Sequence, residues 1–392
     1  MRAAWVTAEP PDRRLGGGNI RQSYLLEALA GEVETDLVML GPLGDETVRR
    51  AVASVTELPP VPPMQWRTRL GRRAHDLVHA VASRLPHEVV LERARRRALA
   101  GPVRTLPEVD LVYLEHAYLA PLARLAPASR RVVGFQTVPS RNIELALPFA
   151  PGRRQRWLLA RDLAKARRFE AGLCRAADLV VAVSDEDAAC LPGCAAVLPN
   201  GVDLDHYVPS PVPSAPNVVM TATFAFAPNA DGARWFCREV LPLVRRQVPS
   251  VRVDLVGRSP GADVHALARQ PGVEVHADVP DTAPYLRRAR VAVVPIRMGA
   301  GTRLKALEAM AAGRPVVGTP LGLEGLGVVD GRHALAADGA GAFAAAVVDV
   351  LAQDELAARL GRGGRELVEG GFGWRQVGRR FVEAVVPPET RS

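Results

Sequence analysis

The sequence is almost without lysine, although it is rich in positive charge. Among its 50 lysines and arginines only Lys165 and Lys305 are lysine, and the formal net charge is +8. This bias towards arginine is typical of a bacterial-like genome of high GC content. A lysine in such a sequence is either a leftover of composition or a residue with a function. The surroundings of Lys305, in the stretch GAGTRLKALEAMAAGRPVV at residues 299–317, favour a function.

Other absences exclude whole classes of protein. The four cysteines have no spacing typical of a metal site or a disulfide framework, so we expect reduced thiols and a cytoplasmic location. No apolar run approaches the ~20 residues of a membrane span, and the N-terminus MRAAWVTAEP lacks the apolar region of a secretory signal. Aromatic residues make up only 5%, and no nucleic-acid-binding motif accompanies the basic residues, so no nucleic-acid partner is expected.

Positive charge is concentrated in two stretches. Residues 67–104 carry ten basic and three acidic residues, and residues 130–175 carry eleven and three. These runs are either the solvated faces of arginine-rich helices or surfaces that attract an acidic acceptor or an anionic membrane. Peripheral contact with the inner membrane face therefore stays open, and the oligomeric state is not predicted.

Short apolar strands alternate with helical stretches along the whole chain. The predicted strands are RAAWVT, TDLVMLG, VDLVYLEH, RRVVGFQT and ADLVVAVS, followed by NVVMTATF, VRVDLVG, GVEVHA, ARVAVVP and RPVVGT. This alternation predicts an α/β fold with parallel sheets covered by helices on both faces. A proline-rich stretch at 206–217 divides it into two Rossmann-like, doubly wound domains, 1–205 and 218–375, with a last helix and tail at 376–392 whose packing is not predicted.

Ligands of such sheets bind beyond the carboxyl ends of the strands, so we expect a site in the cleft between the two facing domains. Gly16, Gly17 and Gly18 follow the first strand, and Asn19 is the predicted N-cap of the next helix. Arg258 directly follows the strand VRVDLVG and is a candidate contact for a base or a phosphate.

Residues 290–317 predict a strand, a glycine-containing loop, a helix and another strand. Gly299–Gly301 lets the backbone approach a ligand, Thr302 is the predicted N-cap, and Gly313 ends the helix. Arg303 and Lys305 put two positive charges beside the positive end of the helix dipole, where acidic residues are normally favoured. That unfavourable arrangement indicates a bound anion, most simply a phosphate or diphosphate.

Glu308 lies three residues after Lys305, one helical turn along. The two side chains could pair on the helix surface. Alternatively, Glu308 accepts hydrogen bonds from ribose hydroxyls, as acidic residues do in other nucleotide sites. The second interpretation fits one ligand, with its diphosphate at the helix start and its ribose one turn further.

Three motifs together resemble retaining glycosyltransferases of the GT-B fold, family 4-like, group 1. They are LPNGVD at 198–203, the glycine loop after the first strand, and GAGTRLKALEAMAAGRPVVGTPLGLEGL. The resemblance implies metal-independent transfer of a hexose or related sugar, with retained configuration, from a nucleotide-diphosphate sugar to an acceptor hydroxyl. It implies no cofactor besides this donor substrate, and a UDP-sugar is favoured over a GDP-sugar. The acceptor is not predicted beyond a small molecule or natural product, or a lipid or polysaccharide precursor.

The resemblance also assigns individual residues. Glu308 matches the second, ribose-binding glutamate of the family's paired-glutamate motif, whereas the position of the first glutamate is Ala300. His116, at the end of a strand, matches a histidine beside the donor sugar, although a lone histidine there is more often structural. The predicted catalytic residues are His116, Arg303 and Lys305. The predicted donor-binding residues are Gly299, Ala300, Gly301, Thr302, Arg303, Lys305, Glu308, Arg258 and Glu324, and the predicted acceptor or cleft residues are Gly16, Gly17, Gly18, Gln136 and Asn200.

No metal site is predicted. Asp185 with Asp187, and Asp203 with Asp205, match an Asp-x-Asp pattern, but the first pair fits a helix N-terminus and the second a domain junction. Two other functions stay open. A nucleotide-sugar epimerase shares the fold, and Ala300 in place of a glutamate is compatible with a non-catalytic nucleotide-sugar-binding protein.

Overall fold

The computed structural model describes residues 1–62, 69–191, 193, 195–301 and 303–388, and for residues 69–74 it describes the backbone alone. Cys194 and Thr302 therefore lie outside the described residues. By their internal contacts the residues form two compact units. Unit 1 comprises Met1–Pro199, Gly299–Gly301 and Val377–Ser392, and unit 2 comprises Asn200–Met298 and Thr302–Gln376.

Unit 1 is built on a parallel sheet of seven strands in the order β3-β2-β1-β4-β5-β6-β7. Its strands are β1 (Arg2–Thr7), β2 (Glu34–Leu40), β3 (Ser54–Leu58), β4 (Val109–Glu115), β5 (Ala128–Gly134), β6 (Leu179–Ala182) and β7 (Ala195–Val197). Its helices are α1 (Gly17–Ala30), α2 (Glu46–Ala51), α3 (Arg69–Ala82), α4 (His87–Leu91), α5 (Arg93–Arg104), α6 (Pro139–Ala146), α7 (Gly152–Cys174) and α8 (Asp185–Ala188).

Unit 2 repeats this plan with six parallel strands in the order β10-β9-β8-β11-β12-β13. Its strands are β8 (Asn217–Thr223), β9 (Arg252–Arg258), β10 (Val273–Ala277), β11 (Val291–Val294), β12 (Val316–Gly318) and β13 (Leu335–Ala336). The helices that follow are α9 (Ala227–Trp235), α10 (Leu241–Gln247), α11 (Ala262–His265), α12 (Ala283–Arg288), α13 (Leu304–Ala311), α14 (Pro320–Leu323), α15 (Ala340–Ala352), α16 (Asp354–Glu369) and α17 (Trp374–Val385).

Alternate residues of the strands feed two separate hydrophobic layers, which is why the sheets are covered on both faces. In β11, Val291 and Val293 belong to one buried cluster of unit 2, while Ala292 and Val294 belong to the other. Strands buried on both faces are near-continuously apolar, as the predicted strand sequences are. The predicted α/β fold with two doubly wound parallel sheets is therefore confirmed.

The end of α17 packs on the sheet of unit 1. The ring of Phe381 meets Tyr113 of β4 edge-on at a centroid distance of 5.2 Å and Trp5 of β1 at 6.0 Å. Trp5 and Tyr113 are themselves stacked at 4.1 Å, and all three side chains are fully buried. This aromatic cluster places the last helix, whose position was not predicted.

One predicted N-cap is wrong. Helix α1 begins at Gly17, with Gly16 at the N-cap, so Asn19 lies inside the first turn. Gly16 has φ of +136°, a backbone conformation that glycine adopts more readily than any other residue. The side chain of Asn19 instead donates a hydrogen bond to the carbonyl of Pro10 at 3.1 Å.

Several arginines bind the proline-rich stretch 206–217 to unit 2, and Arg314 forms the most hydrogen bonds with it. Arg314 is fully buried, and its guanidinium donates hydrogen bonds to the carbonyls of Ser210, Pro211 and Ala289. Burial lowers the pKa of Arg314 to about 10, so the group stays charged at neutral pH. The arginine of the motif AAGRPVV therefore has a structural role.

We expect Arg314→Met to lower the free energy of unfolding by about 3 kcal/mol, because several buried carbonyls lose a charged donor together. Urea unfolding should show a lower midpoint with an unchanged slope. Arg375→Met is the control, because the Arg375 side chain is 90% exposed and its loss should change stability by less than about 0.5 kcal/mol. Equal midpoints for the two variants would contradict this role of Arg314.

Candidate functional site

The strand order of unit 2 reverses between β8 and β11, and the loops after these two strands leave the same edge of the sheet. Such a switch point is where open α/β sheets bind ligands. The chain after β8 enters α9, which carries Asn229, and the chain after β11 leads to α13, which carries Lys305. The amide of Asn229 is held in place because its Nδ2 donates to the carbonyl of Thr223 at 2.8 Å.

Lys305 joins the two sides of the switch point. Its Nζ donates a hydrogen bond to Oδ1 of Asn229. Burial, together with the neighbouring charge of Arg303, lowers the pKa of Lys305 to about 7, and the carboxyl of Glu308 opposes this shift. A lysine with a lowered pKa in the first turn of a helix is ready to gain a proton when an anion arrives.

The start of α13 differs in one respect from the prediction. The first helical residue is Leu304, and the N-cap position is occupied by Arg303; Thr302, the predicted cap, lies outside the described residues. Arg303 is buried, and its Nε lies 3.4 Å from the carbonyl of Leu321, with which it forms a hydrogen bond. Gly313, with φ of +71°, follows the end of the helix as predicted.

Glu308 lies one turn further along α13, and its hydrogen-bond partner is Tyr207 and not Lys305. Burial raises the pKa of Glu308 to about 7, while Lys305 and a hydrogen bond with Tyr207 lower it. The hydroxyl of Tyr207 also lies within hydrogen-bonding distance, 3.1 Å, of the Thr282 hydroxyl. Lys305 and Glu308 therefore attract each other through space, while each forms its hydrogen bond with a different residue.

The remaining donor-binding candidates of unit 2 lie on other elements. Arg258 is the last residue of β9, and it is half-buried. Glu324 directly follows α14, whose N-cap Thr319 accepts a hydrogen bond from the backbone of Gly322 at 2.9 Å. Neither residue has a contact in the described structure that assigns it to a ligand, so their roles stay predictions.

The glycine loop Gly299–Gly301 belongs to unit 1. The backbone N–H of Ala300 donates to Oδ1 of Asn142 in α6 at 2.6 Å. Gly299 and Gly301 both have φ of +91°, in the left-handed region that favours glycine. Ala300 itself is buried, with 2% of its surface exposed. The loop is thus shaped by two glycines and fixed by the amide of Asn142.

In unit 1 the predicted Gly16–Gly18 and Gln136 lie together. Nε2 of Gln136 donates to the carbonyl of Gly18 at 3.2 Å and to Oε1 of the buried Glu115 at 2.9 Å. A Cβ on Gly18 would lie only 2.2 Å from Oε1 of Gln136, so a larger residue at this position would require the Gln136 side chain to move away. This places the start of α1 directly beside the carboxyl end of β4.

His116 follows β4 in a strained backbone conformation, with φ of +79°. Its ring stacks on Tyr118 at a centroid distance of 5.0 Å and an interplanar angle of 11°. Its Nε2 is buried and has no hydrogen-bond partner among the described residues. A positive φ in a residue that is not glycine is typical of functional sites, and an unused ring nitrogen can bind a substrate hydroxyl.

Asn200 follows a segment held by the buried Arg21. The guanidinium of Arg21 donates to the carbonyls of Leu198 and Pro199, both at 3.0 Å. Gly201 lies against the ring of Trp374, where a Cβ would approach to 2.6 Å. The motif LPNGVD therefore contains residues needed for packing, and the predicted acceptor role of Asn200 stays a prediction.

The two Asp-x-Asp pairs are used within the protein. Asp187 accepts from Arg141 at 2.8 Å, and Asp185 begins α8 after the N-cap Ser184, as expected for a helix N-terminus. Oδ1 of Asp203 accepts two backbone N–H groups in the turn that follows it. Neither pair belongs to the groups of side chains that could hold a metal ion among the described residues.

Sequence reasoning missed four residues that position the candidate site. In unit 2, Tyr207 holds Glu308 and Asn229 holds Lys305. In unit 1, Asn142 holds the glycine loop Gly299–Gly301 and Glu115 holds Gln136. Their partners are between 21 and 158 positions away in the sequence. No local pattern marks such contacts. The available signals were the position of Glu115 near the end of one predicted strand and that of Asn229 in the segment following another.

Two Rossmann-like units in one chain are the architecture of the GT-B fold, and solved structures of this fold match nearly the entire length. Sucrose-phosphate synthase from Thermosynechococcus elongatus matches with a TM-score of 0.72 and 19% identity, over 97% of each chain. HepE of Anabaena in complex with UDP and glucose matches with a TM-score of 0.66 and 14% identity, over 98% of each chain. TarM of S. aureus, solved with fondaparinux, alpha-GlcNAc-glycerol and UDP, matches with 0.69 and 10%, over 99% of this chain and 100% of that one.

Identities this low establish the fold alone, and a separate similarity to a family is found in the sequence of unit 2. Residues 215–353 match the family model described as Glycosyl transferases group 1. This stretch contains the whole sheet of unit 2 together with Lys305 and Glu308. The predicted resemblance to group 1 glycosyltransferases of the GT-B fold is thus confirmed over residues 215–353. A comparison with curated proteins found no match to the sequence.

Proposed function

We propose that the protein is a retaining, metal-independent glycosyltransferase that moves a hexose or related sugar from a nucleotide-diphosphate sugar to an acceptor hydroxyl. The observation that carries the proposal is the arrangement at the switch point of unit 2. There, Lys305 bonds Asn229 at the start of α13, and Glu308 follows one turn along, bonded to Tyr207. The spacing of one helical turn between Lys305 and Glu308 is comparable to the spacing between the diphosphate and the ribose of one nucleotide.

Each residue then has a chemical role. The diphosphate binds the ammonium group of Lys305, the guanidinium of Arg303 and the positive end of α13. Glu308 accepts hydrogen bonds from the ribose hydroxyls, with Tyr207 fixing its carboxyl group. Arg258 and Glu324 are further donor contacts. His116 is proposed to bind a hydroxyl of the donor sugar through Nε2, because this nitrogen is buried and has no hydrogen-bond partner within the part of the chain that the structure describes.

The leaving diphosphate takes the place of a catalytic base in this proposal. As the bond from the anomeric carbon to the diphosphate breaks, negative charge develops on the leaving oxygen, and Lys305, Arg303 and the helix dipole stabilise it. The acceptor hydroxyl attacks from the same face and gives its proton to the departing diphosphate, so the configuration is retained. Charge stabilisation by these groups needs no metal ion.

Ala300 changes how the sugar is recognised. No carboxylate is available at this position, and the N–H of Ala300 already donates to Asn142. We infer that sugar recognition depends on His116 and on the shape of the Gly299–Gly301 loop. This should relax discrimination between hexoses that differ at one hydroxyl, because a site that makes no hydrogen bond to a hydroxyl discriminates weakly against its change.

The test is a transfer assay over a panel of donors. The purified protein is incubated with UDP-glucose, UDP-GlcNAc and GDP-mannose, with candidate hydroxyl acceptors and with a chelator. We expect release of UDP from a UDP-sugar, because two of the matched structures contain UDP. The anomeric configuration of the product, read by NMR, should be that of the donor.

Other outcomes would point to the alternative functions. An isomerised sugar from donor alone would identify an epimerase. Tight nucleotide binding without turnover of any donor would identify a non-catalytic binding protein, which Ala300 in place of a glutamate would then explain. Inversion of configuration, or complete loss of activity with the chelator while the protein remains folded, would contradict the proposed mechanism.

Peripheral contact with an anionic membrane belongs to the same proposal. It is supported by α5 and α7, which are rich in arginine, and by the exposed apolar side chains Leu77, Val78 and Val81 on α3 and Trp157 on α7. In the described part of the chain no helix is both long and apolar enough to cross a membrane. Co-sedimentation with anionic vesicles that fades at high salt would support the contact, and equal sedimentation with neutral vesicles would contradict the role of charge.

Nucleotide binding should take up a proton at about pH 8. The pKa of Lys305 is about 7 in the free protein, so its amine is mostly neutral there, and a neighbouring diphosphate raises that pKa. Calorimetric titration of UDP in two buffers with different ionisation enthalpies measures this uptake, which should approach one proton. Lys305→Met should abolish it. An uptake that persists in the variant would show that another group is protonated.

A further inference from the structure

Three of the eight histidines of the chain lie within residues 75–87, far in sequence from the candidate donor site. His75 and Asp76 lie on α3, and His87 is the first residue of α4. Nδ1 of His75 lies 3.8 Å from Oδ1 of Asp76, and Nε2 of His87 lies 3.4 Å from the same oxygen. All three of these atoms lie within 4.8 Å of one another.

The separations of 3.8 and 3.4 Å from Oδ1 of Asp76 are close to those between neighbouring ligands of a tetrahedral metal site. Zinc binds imidazole nitrogen and carboxylate oxygen at about 2.0–2.2 Å, which puts neighbouring ligand atoms roughly 3.3–3.5 Å apart. Oδ1 of Asp76 is buried and accepts no hydrogen bond from the described residues, so its lone pairs are available. We propose that His75, Asp76 and His87 together bind one divalent first-row transition metal ion, zinc foremost.

The donor set favours such an ion over magnesium or calcium. Two imidazole nitrogens and one carboxylate oxygen suit zinc, cobalt, nickel or copper, whereas magnesium and calcium prefer oxygen ligands alone. Three protein ligands leave a fourth position for water.

A second group of potential metal ligands in the described chain, with one histidine and two carboxylates, shows the contrast. Asp254, Glu274 and His276 also come within range of one another. There, however, a guanidinium already occupies the centre, because Nη2 of Arg288 lies 3.1 Å from Asp254 and 3.3 Å from Nε2 of His276. At Asp76, by contrast, the ion pairs formed with other described residues are those with His75 and His87.

Helix α7 holds both sides of the proposed site in place. Lys165 is buried, and its Nζ donates to the carbonyl of His79 near the end of α3 at 2.7 Å. Asp162 accepts the backbone N–H of His87 at the start of α4, at 2.8 Å. Nε2 of His79 bonds the carbonyl of Leu85 at 2.9 Å and thereby fixes the connection between the helices. The ligands are therefore positioned before any metal binds.

The ion would cross-link α3 to α4 and so stabilise this part of unit 1. It has no role in the transfer step, so its presence can be tested independently of the proposed function. Because it binds the folded chain, added metal should raise the unfolding temperature in a concentration-dependent manner.

The experiment uses the full chain without a histidine tag. Metal analysis of the purified protein and equilibrium dialysis against zinc should both give about one zinc ion per chain. Cobalt offered at one equivalent should give the intense visible absorption of a tetrahedral site and not the weak spectrum of the hydrated ion. Zinc affinity should fall at least about tenfold in His75→Asn, Asp76→Asn and His87→Asn. His276→Asn, in the second group, is the matched control and should bind zinc as the unaltered protein does.

The outcomes separate clearly. A hydrated-ion spectrum with cobalt, or no zinc retained on dialysis, overturns the proposal without any variant having to fold. Equal zinc binding by the unaltered protein and by two folded ligand variants also overturns it. Loss of zinc binding in His276→Asn, with binding unchanged in His87→Asn, would place the metal in unit 2 and contradict the proposed ligands.

Discussion

Replacing Lys305 by Met lowers kcat/KM for sugar transfer by about 100- to 1000-fold, because one preorganised charge at the leaving group is lost. The effect should fall on kcat more than on KM, since charge on the leaving oxygen is greatest in the transition state. Steady-state kinetics with the accepted donor measures it. Arg234→Met is the control. Arg234 is also a cation that follows β8, but it pairs with Asp263 and Asp231, and its loss should leave kcat/KM within about twofold.

The same variant should not lose stability. Burial lowers the pKa of Lys305 from 10.5 to about 7. The free energy of unfolding is therefore highest above the unfolded-state pKa of 10.5, and it decreases as the pH falls from there through 7, because the folded state resists protonation of the amine. Near neutral pH the buried amine therefore costs stability, and Met at this position should unfold at an equal or higher urea concentration. A variant that is inactive because it is unfolded would show the opposite, a lower midpoint, and would remove the evidence for a direct role of Lys305.

Gly257→Ala should lower the free energy of unfolding by about 4 kcal/mol, the largest stability effect we expect from a single methyl group. Gly257 pairs with Ala222 in the sheet of unit 2 and has φ of +150°. An added Cβ would lie 1.7 Å from the carbonyl oxygen of Ala222, and a strand backbone cannot move away without breaking its pairing. Urea unfolding and amide exchange in β8 and β9 would report the loss.

Gly341→Ala is the matched control for this substitution. Gly341 lies in α15, and a Cβ there meets no atom within 4 Å. Alanine should raise stability by roughly 0.5–1 kcal/mol, because glycine has the lower helix propensity. Equal stability of the two variants would contradict the close approach of β8 and β9 at Gly257. The contrast also matters for the site, because Gly257 immediately precedes Arg258.

The sequence was sufficient for most of the fold because the interior strands are buried on both faces and are therefore apolar throughout. It was insufficient for β3, β7 and β13. Strand β3, SVTEL, lies at the edge of its sheet and is largely exposed, so it lacks an apolar signal. Strands β7 and β13 have three and two residues, which is too short for a periodic pattern. The position of α17 depends on aromatic contacts with residues that are more than 260 positions away.

For the candidate site, the local part was readable and the long-range part was not. Helix α13 and its end at Gly313 follow from propensity and capping signals, so Lys305 and Glu308 could be placed one turn apart. Their partners Asn229 and Tyr207 come from other elements of unit 2, and the fold alone brings them together. Ala300 was recognised as a departure from the family motif. The hydrogen bond from its backbone to Asn142 could not be predicted, because the two residues are 158 positions apart in the sequence.

The most direct test is calorimetric titration of UDP and of uridine into the unaltered protein and into Lys305→Met. If Lys305 binds the diphosphate, UDP binds the unaltered protein much more tightly than uridine does, and the variant loses most of this difference. Uridine should bind both proteins alike through Glu308. A variant that retains the full preference for UDP would show that the diphosphate lies elsewhere and would contradict the assignment of α13 as the donor site.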